Sequence, residues 1–145
     1  PRLLDSRLLR LEPMGLRQEL LTLKLEDRFT YDQTDNLFFV NLEGFSVSDY
    51  HTIEKIRDAV ENILSPVGHK VFTIVNYDNF NILPEFVDEY TDMVKYLVDN
   101  YYSGVTRYTT SAFLRVKLGD AMQKRNVAPQ IYASPQEAKK ALRKS

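Results

Sequence analysis

Val71-Phe-Thr-Ile-Val-Asn-Tyr-Asp-Asn-Phe-Asn81 opens as a dense apolar, β-branched run and ends in amides and a carboxylate. A strand buried in the middle of a sheet reads this way where it runs out into a polar loop at the carboxyl edge. Strand-like and helix-like segments alternate on both sides of it. In an open α/β sheet that edge is where ligands and partners bind, so the polar exit of this strand is the first stretch to weigh for function.

Toward the N-terminus, residues 28–32 and 37–42 read as a β-hairpin, joined by Gln33-Thr34-Asp35-Asn36, which has good turn chemistry. Leu37-Phe-Phe-Val-Asn-Leu42 is the more uniformly apolar arm and should lie deeper. Residues 48–64 carry Ile53, Ile56, Val60, Ile63 and Leu64 at helical spacing, with Ser48 as the expected N-cap and Pro66 and Gly68 as the stop. Toward the C-terminus, Pro84 should open a second helix running to about Asn100, with Gly104 just beyond. A short strand follows at 105–109. Thr110 and Ser111 offer caps for a third helix to about Arg125. Residues 130–133 read as a last strand, and Ser134-Pro-Gln-Glu137 as a capping box that starts a final helix.

The order is ββαβαβαβα. It predicts an α/β fold with a mixed, mostly parallel sheet, helices packed against it, right-handed crossovers and one antiparallel edge strand. Residues 27–145 form that domain. Residues 1–26 read as an N-terminal arm or a linker from a preceding domain. Leu3, Leu4, Leu8, Leu9 and Leu11 crowd it among Arg2, Arg7 and Arg10, and Pro13 and Gly15 break it. Its leucines need a surface, on this domain, on a neighbouring domain or on a second copy. The start at Pro1 without Met favours the neighbour and reads as processing or as a cut from something longer.

A chain of 145 residues is long enough for one domain with a real core. A net charge of -1 gives no sign of a nucleic-acid or membrane-surface partner through bulk charge. No apolar run approaches the roughly 20 residues that span a bilayer. The absence of cysteine excludes disulfides and thiolate chemistry and weakly favours a cytoplasmic setting. His51 and His69 stand alone, so no metal site is expected. The five glycines are isolated, so there is no phosphate loop. The 9 Tyr, with 8 Phe and no Trp, are expected at the half-wet edges of the core.

Two clusters remain as candidate sites. Asn76, Tyr77, Asp78, Asn79 and Asn81 follow the central strand. They suit a partner-binding loop or polar ligand, and they equally suit Asx turns and helix capping. Thr106-Arg-Tyr-Thr-Thr-Ser111 delivers Arg107 and the hydroxyls of Thr109, Thr110 and Ser111 to a helix N-terminus. Free backbone N–H groups and the positive dipole end would accept a phosphate or carboxylate there. The competing reading is N-capping with an edge arginine. Glu43-Gly44 offers a carboxylate at a strand end, but nothing nearby would activate it as a nucleophile.

The element order resembles a STAS-type domain, as in anti-sigma factor antagonists. In that family a serine after the central strand, in an Asp-Ser-Ser-Gly-like motif, is phosphorylated. The matching stretch Asn76-Tyr-Asp-Asn-Phe-Asn-Ile-Leu-Pro84 has neither Ser nor Gly, so the phospho-switch does not carry over. More specific words resemble bacterial acyl-CoA:acetate/3-ketoacid CoA-transferases of the propionate CoA-transferase type. Arg2-Leu-Leu-Asp-Ser-Arg-Leu-Leu-Arg-Leu-Glu-Pro-Met-Gly15 is similar to the junction that ends their catalytic part. Leu37-Phe-Phe-Val-Asn-Leu-Glu-Gly44, Ile74-Val-Asn-Tyr-Asp-Asn-Phe80 and Tyr101-Tyr-Ser-Gly-Val-Thr-Arg-Tyr-Thr-Thr-Ser-Ala-Phe113 are similar to their C-terminal extension.

This resemblance implies a C-terminal domain without its own catalysis or cofactor. The parent protein would use coenzyme A as substrate, and its active glutamate would lie in domains this chain lacks. The implied partner is the preceding catalytic domain or another protein. A stand-alone STAS-like regulatory module and a small-molecule anion binder are the two alternatives.

Overall fold

The computed structural model describes residues 24–143, and of Arg143 only its backbone. Residues 1–23 of the expected arm therefore lie outside the described residues. Leu25–Arg28 forms a 3-10 turn, and Leu25 packs against the core, so the fold begins slightly before residue 27.

Strands β1 (Phe29–Asp32) and β2 (Leu37–Asn41) pair antiparallel, from Phe29 opposite Val40 to Asp32 opposite Leu37. Asn36 closes the turn with a positive φ of 52°, a conformation asparagine tolerates. A two-residue strand β3 (Ser46–Val47) precedes helix α1 (Tyr50–Leu64). Strand β4 (Val71–Asn76) is followed by the two-residue β5 (Asn81–Ile82) and helix α2 (Val87–Tyr101). Strand β6 (Tyr102–Tyr108), helix α3 (Ala112–Gln123) and helix α4 (Pro135–Arg143) complete the chain. The main sheet has the order β1-β2-β4-β6, with β2, β4 and β6 parallel and β1 the antiparallel edge. The expected mostly parallel α/β architecture is thus present, and residues 71–76 are an interior strand. β3 and β5 pair in parallel as a separate small sheet beyond the carboxyl edge.

Alternation along the strands sorts residues between the two faces. Phe38, Val40, Val71 and Val75 turn to one face and join Ile53, Ile56 and Val60 of α1 and Tyr90, Met93, Val94 and Leu97 of α2 in a single core. Each large aliphatic chain so buried contributes on the order of 1.5–3 kcal/mol. Leu37, Phe39, Phe72 and Ile74 turn to the other face. There α4 packs across β4 and β6 and leaves a groove of about 480 Å³ beside β2, where Phe39 stays 38 % exposed.

Several boundaries differ from the sequence reading, each for a local reason. Asp49 caps α1 in place of Ser48, because its carboxylate accepts both the Thr52 amide (2.7 Å) and the Thr52 hydroxyl (2.8 Å). Pro84 opens a 3-10 turn, Pro84–Phe86, before α2 proper. α2 runs into β6 with no intervening loop, so Gly104 sits inside a strand at a register shift opposite Val71 and Phe72. The strand expected at 130–133 reduces to one parallel bridge, Tyr132 to Tyr108. Two hydrogen bonds hold it, Thr109 N to Tyr132 O (2.9 Å) and Tyr132 N to Arg107 O (2.8 Å). Ser134 caps α4 as expected, accepting the Glu137 amide at 3.2 Å.

Gly68 ends the turn after α1 at φ 82° with open space around it, so glycine is there for its backbone and not for room. Gly119 is the opposite case. A Cβ there would meet the Pro129 carbonyl oxygen at 3.0 Å, so α3 lies directly on the loop that leads to Tyr132.

Candidate functional site

The exits of β2, β4 and β6 lie side by side and are laced together. Leu42 N donates to Asn76 O (2.9 Å), Gly44 N to Asp78 O (3.0 Å) and Tyr77 N to Tyr108 O (2.9 Å). Side chains continue the lacing. Asn76 Nδ2 donates to Glu43 Oε1 (3.1 Å), and Asn76 Oδ1 accepts the Asp78 amide (2.9 Å). Arg28 Nη1 donates to the carbonyls of Asn41 (3.1 Å) and Glu43 (2.9 Å), and its guanidinium lies 5.1 Å from the centre of the Phe45 ring. Burial lowers the Arg28 pKa, with Glu43 opposing.

The five residues of the first cluster separate. Asn76 closes an Asx-type turn onto the Asp78 amide, and the Asp78 carboxylate reaches across to Thr110. Asn79 takes φ 55° at the loop tip, and Asn81 enters β5. Tyr77 turns inward, fully buried, with its hydroxyl 2.7 Å from that of Tyr90. Its place in the core differs from the half-wet setting expected for the tyrosines. Mutual hydrogen bonding makes this affordable for both phenols.

The second cluster separates too. Ser111 caps α3, accepting the Leu114 amide at 3.1 Å. Thr109 is buried, and its hydroxyl accepts the Ser111 amide at 3.2 Å. Thr110 is exposed, but its amide and hydroxyl both donate to Asp78 Oδ1, at 2.7 and 3.2 Å. Arg107 points away from all three, into the core, and is only 1 % exposed. Strand alternation puts Arg107 on the same face as Val105, opposite Val75 of β4.

Inside, Arg107 borders a cavity of about 20 Å³ enclosed chiefly by apolar side chains and by Tyr77, Tyr90 and Tyr102. Its Nη1 donates to Ala128 O (3.1 Å); no hydrogen bond of ordinary geometry reaches its buried Nη2, and a weaker contact with the Tyr77 hydroxyl is the least of the influences on that phenol's pKa. Burial pushes the pKa of all three tyrosines up, and in each the nearby Arg107 charge opposes the rise.

Outside, the polar end of the β2 groove is a cleft of about 250 Å³ lined by Asn41, Asn76, Tyr108 and Lys139 with Phe39 and Ile74. Burial first, then Asp78 and Glu43, raise the Tyr108 pKa. Sequence reasoning missed Asn41 and Tyr108 because the parallel register alone aligns them with Asn76, and Lys139 because it arrives with α4 packed on the sheet. Among the described residues no group of three His, Cys, Asp or Glu could hold a metal, and no helix is long and apolar enough to cross a membrane. No protein-family model, no curated protein and no solved structure matches this chain.

Proposed function

We propose that this chain is a non-catalytic, STAS-like C-terminal domain of a CoA-transferase-related protein, serving assembly with the transferase core. The observation that carries the reading is a convergence. The three stretches that resemble the transferase extension end at the adjacent exits of β2, β4 and β6. Their polar residues are engaged there with one another, in caps and turns, which suits a scaffold better than a reacting centre. The groove of Leu37, Phe39, Phe72 and Ile74 is the apolar face such a scaffold would offer to the core.

The test uses the purified chain and a transferase core of the propionate CoA-transferase type lacking its own extension. The chain alone is expected to exchange no acyl groups between acyl-CoA and acetate. It should bind the core in titration calorimetry, and Phe39→Glu should abolish binding while leaving the fold intact by circular dichroism. Turnover by the chain alone overturns the reading. Absence of binding favours the stand-alone module, which would contact its partner through the loops at residues 76–84 and 106–111.

A further inference from the structure

We propose that Arg107 holds a single small monovalent anion of the halide class inside the core, in the cavity it shares with Tyr77, Tyr90 and Tyr102. The proposal stands apart from the transferase reading and rests on the state of one side chain. Arg107 is almost wholly buried, and among the described residues no carboxylate forms an ion pair with it. A guanidinium is always charged, and a buried charge needs a counter-charge or a full set of hydrogen-bond partners. The Ala128 carbonyl serves Nη1, and Nη2 is left over. The neighbouring phenols do not supply the missing negative charge, since burial favours their neutral form.

The cavity provides both the room and the chemistry for the balance. Its volume of about 20 Å³ is little more than one water-sized guest needs. Phosphate, sulfate and carboxylates have too many heavy atoms to fit. A chloride or bromide is spherical, carries one charge and accepts hydrogen bonds from any direction. Arg107 supplies the cation and a free N–H. The hydrogen-bonded pair Tyr77 and Tyr90 has two protons and needs only one of them for its mutual bond, so one hydroxyl proton is left to donate. The remaining walls, Val75, Met93 and Val94 among them, are apolar and would keep the ion dehydrated and singly placed.

The test compares thermal unfolding of the purified chain in sodium gluconate, chloride and bromide at constant ionic strength. Gluconate is too large to enter. A halide at ten times its dissociation constant should raise the melting temperature by roughly 3–6 °C over gluconate, and Arg107→Met should remove the difference. Melting that depends on ionic strength alone, or a halide response equal in wild type and variant, overturns the proposal. If Arg107→Met fails to fold, a crystal of the wild-type chain grown in bromide decides the matter without a variant. An anomalous peak beside Arg107 Nη2 is the expected result. Density there without anomalous signal would identify a water and sink the idea.

Discussion

Asp78 Oδ1 lies 2.7 Å from the amide nitrogen of Thr110 and 3.2 Å from its hydroxyl. One carboxylate thus ties the loop after β4 to the start of α3. The sequence left open capping by the chain's own groups or an anion arriving here from outside. The chain brings its own, in the field of a helix N-terminus that favours negative charge.

Replacing that carboxylate should be costly for its size. Asp78→Ala removes the acceptor for two donors and is expected to lower the unfolding free energy by about 1–2 kcal/mol. Asp78→Asn keeps an acceptor and should recover part of it. Urea titration with unchanged m-value would measure this. Losses below about 0.3 kcal/mol for the alanine variant would mean the contact is only a solvated surface pair.

The Tyr77 and Tyr90 hydroxyls satisfy each other in the core. Tyr77→Phe or Tyr90→Phe alone strands the remaining hydroxyl and should cost about 1–3 kcal/mol. The double variant should cost much less than the sum, because it leaves neither hydroxyl stranded. A double-mutant cycle by chemical denaturation reads the coupling directly. Additive losses would show that each hydroxyl has another partner.

High pH should unfold the protein through its tyrosines. Burial raises the folded pKa of Tyr77, Tyr90 and Tyr102, and a hydrogen bond to Glu61 raises Tyr101 to about 12. In the unfolded chain these phenols ionise near 10. Their stabilising contribution is therefore complete below pH ~10 and falls as pH climbs toward the folded values, by up to ~1.4 kcal/mol per pH unit for each buried phenol. Tyrosinate absorbance should appear together with loss of the circular dichroism signal. Gradual ionisation of Tyr77, Tyr90 or Tyr102 in a protein still folded would contradict the burial assigned to them.

Acid works in the reverse sense on Glu61, whose carboxylate accepts hydrogen bonds from Tyr96 and Tyr101 across α1 and α2. These bonds hold its pKa below the usual carboxylate range. Its contribution is present above the unfolded value of about 4.3 and is lost as pH falls through the folded value. Glu61→Gln should melt lower than wild type at neutral pH, and the gap should narrow near pH 3. A constant gap across that range would assign Glu61 a packing role instead.

What could be read from the sequence was local. The stripe of α1, the hairpin turn and the Ser134 cap are written in spacings of two to four residues, and all three are present. What could not be read was set by distant partners. Two-residue strands such as β3 and β5 carry no periodicity and exist because Asn81 N reaches Phe45 O and Leu83 N reaches Val47 O. The direction of Arg107 had the same origin. In Val105-Thr-Arg-Tyr-Thr109 polar and apolar residues do not alternate cleanly, so only the register against β4 decides that arginine, and not Thr106 or Tyr108, faces α1 and α2. The alternatives left open for both clusters, ligand site or cap, were alternatives between the same hydrogen-bonding groups, and sequence alone could not show which were already engaged.

The loopless passage from Tyr101 to Tyr102 governs where this chain can be cut, lengthened or rejoined. Helix and strand there share one continuous backbone, so added residues have no surface loop to bulge into. They would push the strand out of step with Val71 and Phe72 and swing Arg107 to the wrong side. The turn at residues 33–36 is different, since it is largely exposed and its ends are already held by the hairpin ladder. A fluorescent tag, a protease site or new termini belong in that turn, and the seam between α2 and β6 should be left untouched.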